Sequence, residues 1–343
     1  MDAVPIFAQL KYQLFIILKL EKRSCAKQTI YSYRQMKLSI TNSPHLQNTT
    51  HISRLMRQVI IALTPAIIAS VYFFGHQAMY LILNCTITAV VTEFLILKIR
   101  KKPSQIHDCS AALTGILLAL ILPPSIKWYA ACLGSIVSVL IGKHLFGGLG
   151  SNIFNPALLG RAFLMAAYPR MLTTFITPEK VDAVTTATPL ALLKFNQATT
   201  PTLDLFFGNI SGSLGETSAI CLIIGGLYLL IRKIADWRIP LSLLLTVSGI
   251  SLVFYLINPL NGSVLFHLYS GGMLLGAFFM ATDPVTTPVT KKGRYIFGIS
   301  CAIIIMVIRY FGGLPEGVMY SVLFMNAFTP LINRYTKPKR YGT

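Results

Sequence analysis

Negative charge is scarce in this chain of 343 residues: Asp and Glu total 11 against 30 Lys and Arg, for a formal net charge of +19. Charge of either sign is thin as well, at 12% of residues, about half the share of a soluble globular domain. An ordinary water-soluble fold is therefore excluded. The six cysteines, Cys25, Cys85, Cys109, Cys132, Cys221 and Cys301, include no CxxC pair, which argues against a metal or cluster site and against a disulfide framework. Scattered singly among apolar neighbours, they read as small packing residues. No GxGxxG segment with the strand and acidic residue it needs is present, so a dinucleotide site is not encoded here.

What the chain has instead is apolar length. Hydrophobic residues make up 54% of it, with a mean hydropathy of +0.64. Ten apolar runs follow residue 57, at 58–74, 78–97, 109–123, 128–142, 156–169, 217–231, 239–257, 264–281, 295–310 and 316–333. A bilayer-crossing helix needs about 20 such residues, so the shorter runs must draw on their flanks. The expected fold is an all-α polytopic membrane protein with about ten transmembrane helices.

The excess of basic residues could suggest nucleic acid, but its placement points to a membrane. If the N-terminus is cytoplasmic, nearly all Lys and Arg fall on that side, the exceptions being Lys127, Arg170, Lys180, Lys194, Arg309 and the intrahelical Arg161. Cytoplasmic loops collect such residues. Both termini are expected inside and the long polar stretch at 170–216 outside, with no nucleic-acid partner. The divisions expected are a cytoplasmic segment at 1–57, five helices over 58–169, the external loop at 170–216, five helices over 217–333 and a cytoplasmic tail at 334–343. Within the first segment, Leu10 to Arg23 is basic and weakly amphipathic, too short to span, and suited to lying on a membrane surface. Met36 is an alternative start, which would make residues 1–35 an extension.

The two halves resemble each other. Gly115 precedes Pro123 as Gly276 precedes Pro284; Phe146-Gly147-Gly148-Leu149 matches Phe311-Gly312-Gly313-Leu314; and each is trailed by an Asn and Pro pair, Asn152 to Pro156 and Asn326 to Pro330. Five helices per half, an odd number, invert the second repeat in the membrane. Such inverted repeats place sites at their interface, where helices broken by Gly or Pro expose backbone. The candidate segments are Gly147 to Pro156 and Ala281 to Pro288, with ordinary cytoplasmic turns as the alternative. Asp283, within the second segment, is the acid best placed for an ion or proton contact, because charge at membrane depth is costly. Glu93 has Lys98 nearby and Glu316 sits at the expected outer interface.

The external loop holds Asp182-Ala183-Val184-Thr185-Thr186-Ala187-Thr188-Pro189-Leu190. By residue type alone this is a capping sequence, a hydroxyl ahead of a proline that starts a helix running Leu190 to Phe195. The alternative is a hydroxyl that anchors a group.

Three segments bear on that choice: 145–157 (LFGGLGSNIFNPA), 279–285 (FMATDPV) and the tail 335–342 (YTKPKRYG). Together they resemble the D subunit of the Rnf ion-translocating electron transport complex, in a family that includes the B subunit of the sodium-pumping NADH:quinone reductase. The similarity spans approximately residues 40–342. The resemblance implies FMN joined through its phosphate to the last Thr of a Ser/Thr-Gly-Ala-Thr pattern. Thr185, Thr186, Ala187 and Thr188 occupy those positions, with Thr188 as the attachment residue and Thr186 standing where Gly is usual. Thr185 and Asp182 are neighbours of the site; Asp182 would assist a flavin transferase or serve as a helix-dipole partner. The resemblance further implies a non-covalent riboflavin without assigned residues, companion subunits of types A, B, C, E and G, and a bacterial inner membrane. The expected role is to relay electrons and couple them to ion movement as part of a translocase. A flavin-free secondary transporter shares the inverted repeats and broken helices, and a passive scaffold is a third class; neither needs the Thr-Thr-Ala-Thr run.

Overall fold

The computed structural model describes residues 52–101, 106–176 and 185–337. The expected N-terminal segment up to residue 51, Asp182, and the tail beyond residue 337 lie outside the described residues.

Helices α1 (Ile52–Phe74) and α2 (His76–Ile99) are separated by Gly75 alone, whose φ of 64° is the left-handed region that a glycine enters without strain. They are followed by α3 (Ser110–Ile121), by α4 (Trp128–Val137), which runs on as a π-helix over Ser138–His144, and by α5 (Pro156–Ala167). The middle stretch holds short elements: α6 (Pro169–Thr173), the strands β1 (Phe175–Ile176) and β2 (Thr185–Thr186), α7 (Pro189–Asn196) and α8 (Thr202–Phe207). The strands pair antiparallel, Phe175 with Thr186 and Ile176 with Thr185. The second half contains α9 (Ala219–Ile231), α10 (Arg238–Ile257), α11 (Val264–Tyr269) and α12 (Met273–Leu275), which continues as a π-helix over Gly276–Met280. It ends with α13 (Lys291–Phe311) and α14 (Val318–Tyr335).

The protein is therefore helical, and each of the ten apolar runs carries helix. Among the described residues four helices, α1, α2, α10 and α13, are long and apolar enough to cross a membrane, and a fifth crossing results if Pro259–Tyr269 and Met273–Met280, bent by 44°, are one span. By contrast α3, α5 and α9 have 12, 12 and 13 residues, and at 1.5 Å per residue each is about 20 Å long, short of a hydrocarbon core of about 30 Å.

Close approach of backbones holds the bundle together. A Cβ added at Gly225 of α9 would overlap the carbonyl of Ala62 in α1, and one at Gly115 of α3 would come within 2.7 Å of the Cys85 carbonyl in α2. Small residues at crossings are the usual means of helix association in lipid, where apolar burial drives little. Large apolar side chains such as Ile68, Tyr72, Ile87, Leu245, Leu256 and Val307 face outward, as a hydrocarbon solvent permits. A single buried apolar cluster joins residues of both halves, among them Leu63, Leu118, Leu229, Met280, Phe297 and Val322.

The structure corrects one placement. Lys143, assigned by charge counting to a cytoplasmic turn, lies in the π-helix with 2% of its surface exposed. Its side chain is taken up by a buried partner rather than by water.

Candidate functional site

The two helix-broken segments meet at one cavity. Residues 145–155 carry three glycines at positive φ, Gly147 at 122°, Gly148 at 111° and Gly150 at 96°, conformations that let the chain turn sharply before Asn155 starts α5. Asn155 caps that helix by accepting from the Ala157 and Leu158 amides, and its amide nitrogen donates to the Met280 carbonyl at 3.4 Å, tying the first segment to the second. Around this tie is a cavity of about 100 Å³, lined by Lys143, Asn152, Asn155, Thr282 and Asp283 among largely apolar neighbours such as Met56, Leu117 and Phe279. Asp283 is held in a local turn by the Val285 amide at 3.3 Å and the Thr286 hydroxyl at 3.4 Å.

Behind that cavity lies a charge cluster the sequence did not reveal. Lys143 Nζ contacts Glu93 Oε1 at 2.5 Å and donates to Ser110 Oγ at 2.6 Å. Glu93 is thus paired with Lys143, not with Lys98, because the α2 face carrying it turns inward toward α4. Both charges are buried, and each is tolerated only because the other is present.

A second cluster joins the halves at the middle of α5. Arg161 bridges Glu316 at 2.7 Å and Glu216 at 3.4 Å, and all three side chains are largely buried. Glu316 is therefore the partner of an intrahelical arginine rather than a loosely solvated interface residue. Near it, Arg309 donates to the carbonyls of His267 at 2.6 Å, Ser270 at 2.9 Å and Gly271 at 3.4 Å, satisfying the break between α11 and α12. Gly271 and Gly272 there have φ of 63° and 62°.

Thr188 sits beside this second cluster. It is the N-cap of α7, its Oγ accepting from the Ala191 amide at 3.3 Å with Pro189 at the first helical position. Its residue is 5% exposed, and it lines a pocket of about 10 Å³ with Ser211, Glu216, Gly271 and Glu316. Burial here is a departure from the accessible loop hydroxyl that the sequence suggested. Ser211 Oγ donates to the Ala187 carbonyl at 2.9 Å, and Lys194, whose ammonium is held below its ordinary pKa by partial burial, donates to the carbonyls of Ile308, Arg309 and Leu314. Thr185 pairs through its backbone with Ile176.

A phosphoester at the Thr188 oxygen would lie at the start of a helix, whose dipole favours an anion, although Pro189 has no amide hydrogen, the Ala191 amide is taken by Oγ, and Glu216 and Glu316 line the same pocket. The 10 Å³ pocket leaves no room for a flavin ring, which must lie outside it. The cavity beside Asp283 is largely apolar with a few polar groups, and no residues are assigned there to a second flavin. The structure brings Asp283 together with the Gly147–Pro156 segment and places Thr188 in a different pocket. Of the residues linking the two regions, Gly271 to Leu275 had no motif to mark them.

The profile described as the NQR2, RnfD, RnfE family matches residues 39–342. The chain is 46% identical over 312 residues to the D subunit of the Na(+)-translocating ferredoxin:NAD(+) oxidoreductase complex of Acetobacterium woodii, covering 90% of this chain and 96% of that one. It is 45% identical over 319 residues to the D subunit of the proton-translocating ferredoxin:NAD(+) oxidoreductase complex of Clostridium ljungdahlii, covering 89% and 96%. With the D subunit of the ion-translocating oxidoreductase complex of Stutzerimonas stutzeri it shares 40% identity over 326 residues, covering 85% and 92%.

Proposed function

We propose, from the premise that this chain belongs to the NQR2, RnfD, RnfE family, that it is the D subunit of an ion-translocating oxidoreductase complex and relays electrons through FMN esterified to Thr188. The observation that carries the reading is the position of the Thr188 hydroxyl, at the N-cap of α7 within the Thr-Thr-Ala-Thr-Pro run. FMN supplies a one- or two-electron carrier whose orientation and potential the protein sets. The chain's own contribution at that place is the helix start that receives the phosphate, with Thr185 as a neighbour on β2. Electron donors such as ferredoxin or NADH bind companion subunits, of types A, B, C, E and G, and a flavin transferase matures Thr188. A non-covalent riboflavin belongs to the same reading, without assigned residues.

The ten helical segments form two inverted five-helix repeats in a bacterial inner membrane, with both termini cytoplasmic and the Thr188 side periplasmic. Basic residue placement supports this orientation. Asp283 makes the ion or proton contact; what supports it is its place in a cavity shared with Lys143 and with both broken segments.

The test is fluorescence of the denatured protein in a gel after co-expression with a flavin transferase. Wild type is expected to fluoresce and Thr188→Ala to be dark. A fluorescent Thr188→Ala removes Thr188 from the mechanism, and a dark wild type returns the flavin-free transporter.

A further inference from the structure

We infer that Thr188 is a cryptic acceptor: its hydroxyl becomes available for flavin attachment only when α7 and the residues before it lift away from the bundle, so docking and modification compete. This rests on the reading of Thr188 as the attachment residue. The docked geometry leaves no route for the transfer. Thr188 is 5% exposed, its Oγ is engaged by the Ala191 amide at 3.3 Å, and the adjoining pocket of about 10 Å³ has space for about one water.

The reaction needs far more. FMN and an alcohol do not condense in water without activation, so the donor must carry a pyrophosphate, as a flavin adenine dinucleotide does. Thr188 Oγ attacks the phosphorus on the flavin side, an O–P bond forms, and the pyrophosphate P–O bond breaks. Adenylate leaves with the electron pair, and the hydroxyl proton passes to a base of the transferase; nothing is oxidised or reduced. In-line attack requires room for a dinucleotide opposite the leaving group; the hydroxyl keeps a second lone pair beside the one the Ala191 amide engages, but the adjoining pocket has no such room.

Among the described residues, several attachments hold the segment down, beginning with the pairing of Thr185 and Thr186 with Ile176 and Phe175. Ser211 Oγ donates to the Ala187 carbonyl at 2.9 Å. Lys194 Nζ reaches the carbonyls of Ile308, Arg309 and Leu314 at 3.1, 2.9 and 3.0 Å, gripping the end of α13. Leu190 inserts into a small apolar cluster with Leu205, Ile210 and Phe266. This cluster is separate from the main core, and Phe195, about one and a half turns after Leu190, is 65% exposed. Thr188, Pro189 and Leu190 are buried and residues 191–194 half-buried, so opening releases this small cluster and leaves the main core intact, at less cost than unfolding the bundle, and the rate of modification scales with the fraction open.

The experiment uses the full-length chain, purified in detergent after expression without transferase, then incubated with transferase and flavin adenine dinucleotide. Flavin incorporation is followed by in-gel fluorescence, beside a free peptide covering residues 180–195. The peptide is expected to be labelled faster than the wild-type chain. Lys194→Met and Ser211→Ala are each expected to raise the chain's rate about five-fold, the effect of losing one modest fastening, while Lys194→Arg, which keeps the cation, stays near wild type. Hydrogen exchange of peptides from 187–197 should accelerate in the same two variants, while thermal unfolding of the whole chain separates local release from global damage. Wild-type chain labelled as fast as the peptide overturns the inference. So do variants whose exchange accelerates while labelling does not. A chain and peptide that both stay dark overturn the Thr188 reading itself, and this inference with it.

Discussion

Lys143 and Glu93, each 2% exposed, show how charge is tolerated inside this bundle. A lone ammonium or carboxylate at that depth is costly, and the contact at 2.5 Å with the further hydrogen bond to Ser110 offsets the cost. Breaking such a pair from one side leaves the other charge uncompensated, typically a loss of about 3–5 kcal/mol, whereas replacing both by apolar groups is often nearly neutral. Lys143→Met should therefore lower the thermal unfolding midpoint in detergent strongly, and Lys143→Met with Glu93→Leu should recover much of the loss. A single variant that melts like wild type would mean that Glu93 is already neutral. The partners lie 50 positions apart in sequence, which is why the sequence neighbourhood of Glu93 offered only Lys98. Arg161, Glu216 and Glu316 were hidden for the same reason, at separations of 55 and 155 positions.

Elements are tied to one another mainly at their ends. Asp236, in the turn between α9 and α10, bonds Arg238 at 2.8 Å and also pairs with Arg294 of α13, fastening that turn to a helix from later in the chain. Partial burial raises the Asp236 carboxyl, but the Arg238 amide and the Arg294 and Arg238 guanidiniums outweigh it and hold its pKa below the usual carboxylate range. A carboxyl with a folded pKa below its unfolded value contributes stability that is fully present above the unfolded value, about 3.9. That stability is lost as pH falls through the folded value. Wild type should therefore melt higher than Asp236→Asn at pH 7 and pH 5 by a similar margin, and the margin should shrink below about pH 4. A margin that is flat down to pH 3 would show that Asp236 does not depend on its charge. Element breaks were legible where Gly and Pro mark them: residues 145–155 and 281–290 are irregular in the structure as their composition required. The π-helices at Ser138–His144 and Gly276–Met280 were not, since their widening comes from packing against neighbours and leaves no residue pattern of its own.

Across the whole molecule, the ten hydrophobic runs gave the helices their places, because apolar length is a one-dimensional signal. How far each helix crosses is a different quantity. The 12-residue α3 is buried along almost its entire length, wrapped by protein rather than lipid, and short helices in such a position need not match a bilayer thickness. Orientation therefore has to be tested at connections rather than inferred from helix length. The charge pattern puts the turn carrying Lys233, Asp236 and Arg238 on one side and the turn after α7 on the other. Ala198 and Lys233 are both exposed and suit single-cysteine variants in a background with the natural cysteines replaced. In intact cells with a permeable outer envelope, a membrane-impermeant maleimide should label Ala198→Cys and spare Lys233→Cys. In inverted inner-membrane vesicles the two should exchange. Thr188 lies ten positions before Ala198, at the other end of the same short helix, so the label at 198 reports the side on which Thr188 lies. Labelling of both sites from one side would contradict the charge argument, and labelling of Lys233→Cys alone in intact cells would invert the topology and place Thr188 on the cytoplasmic side.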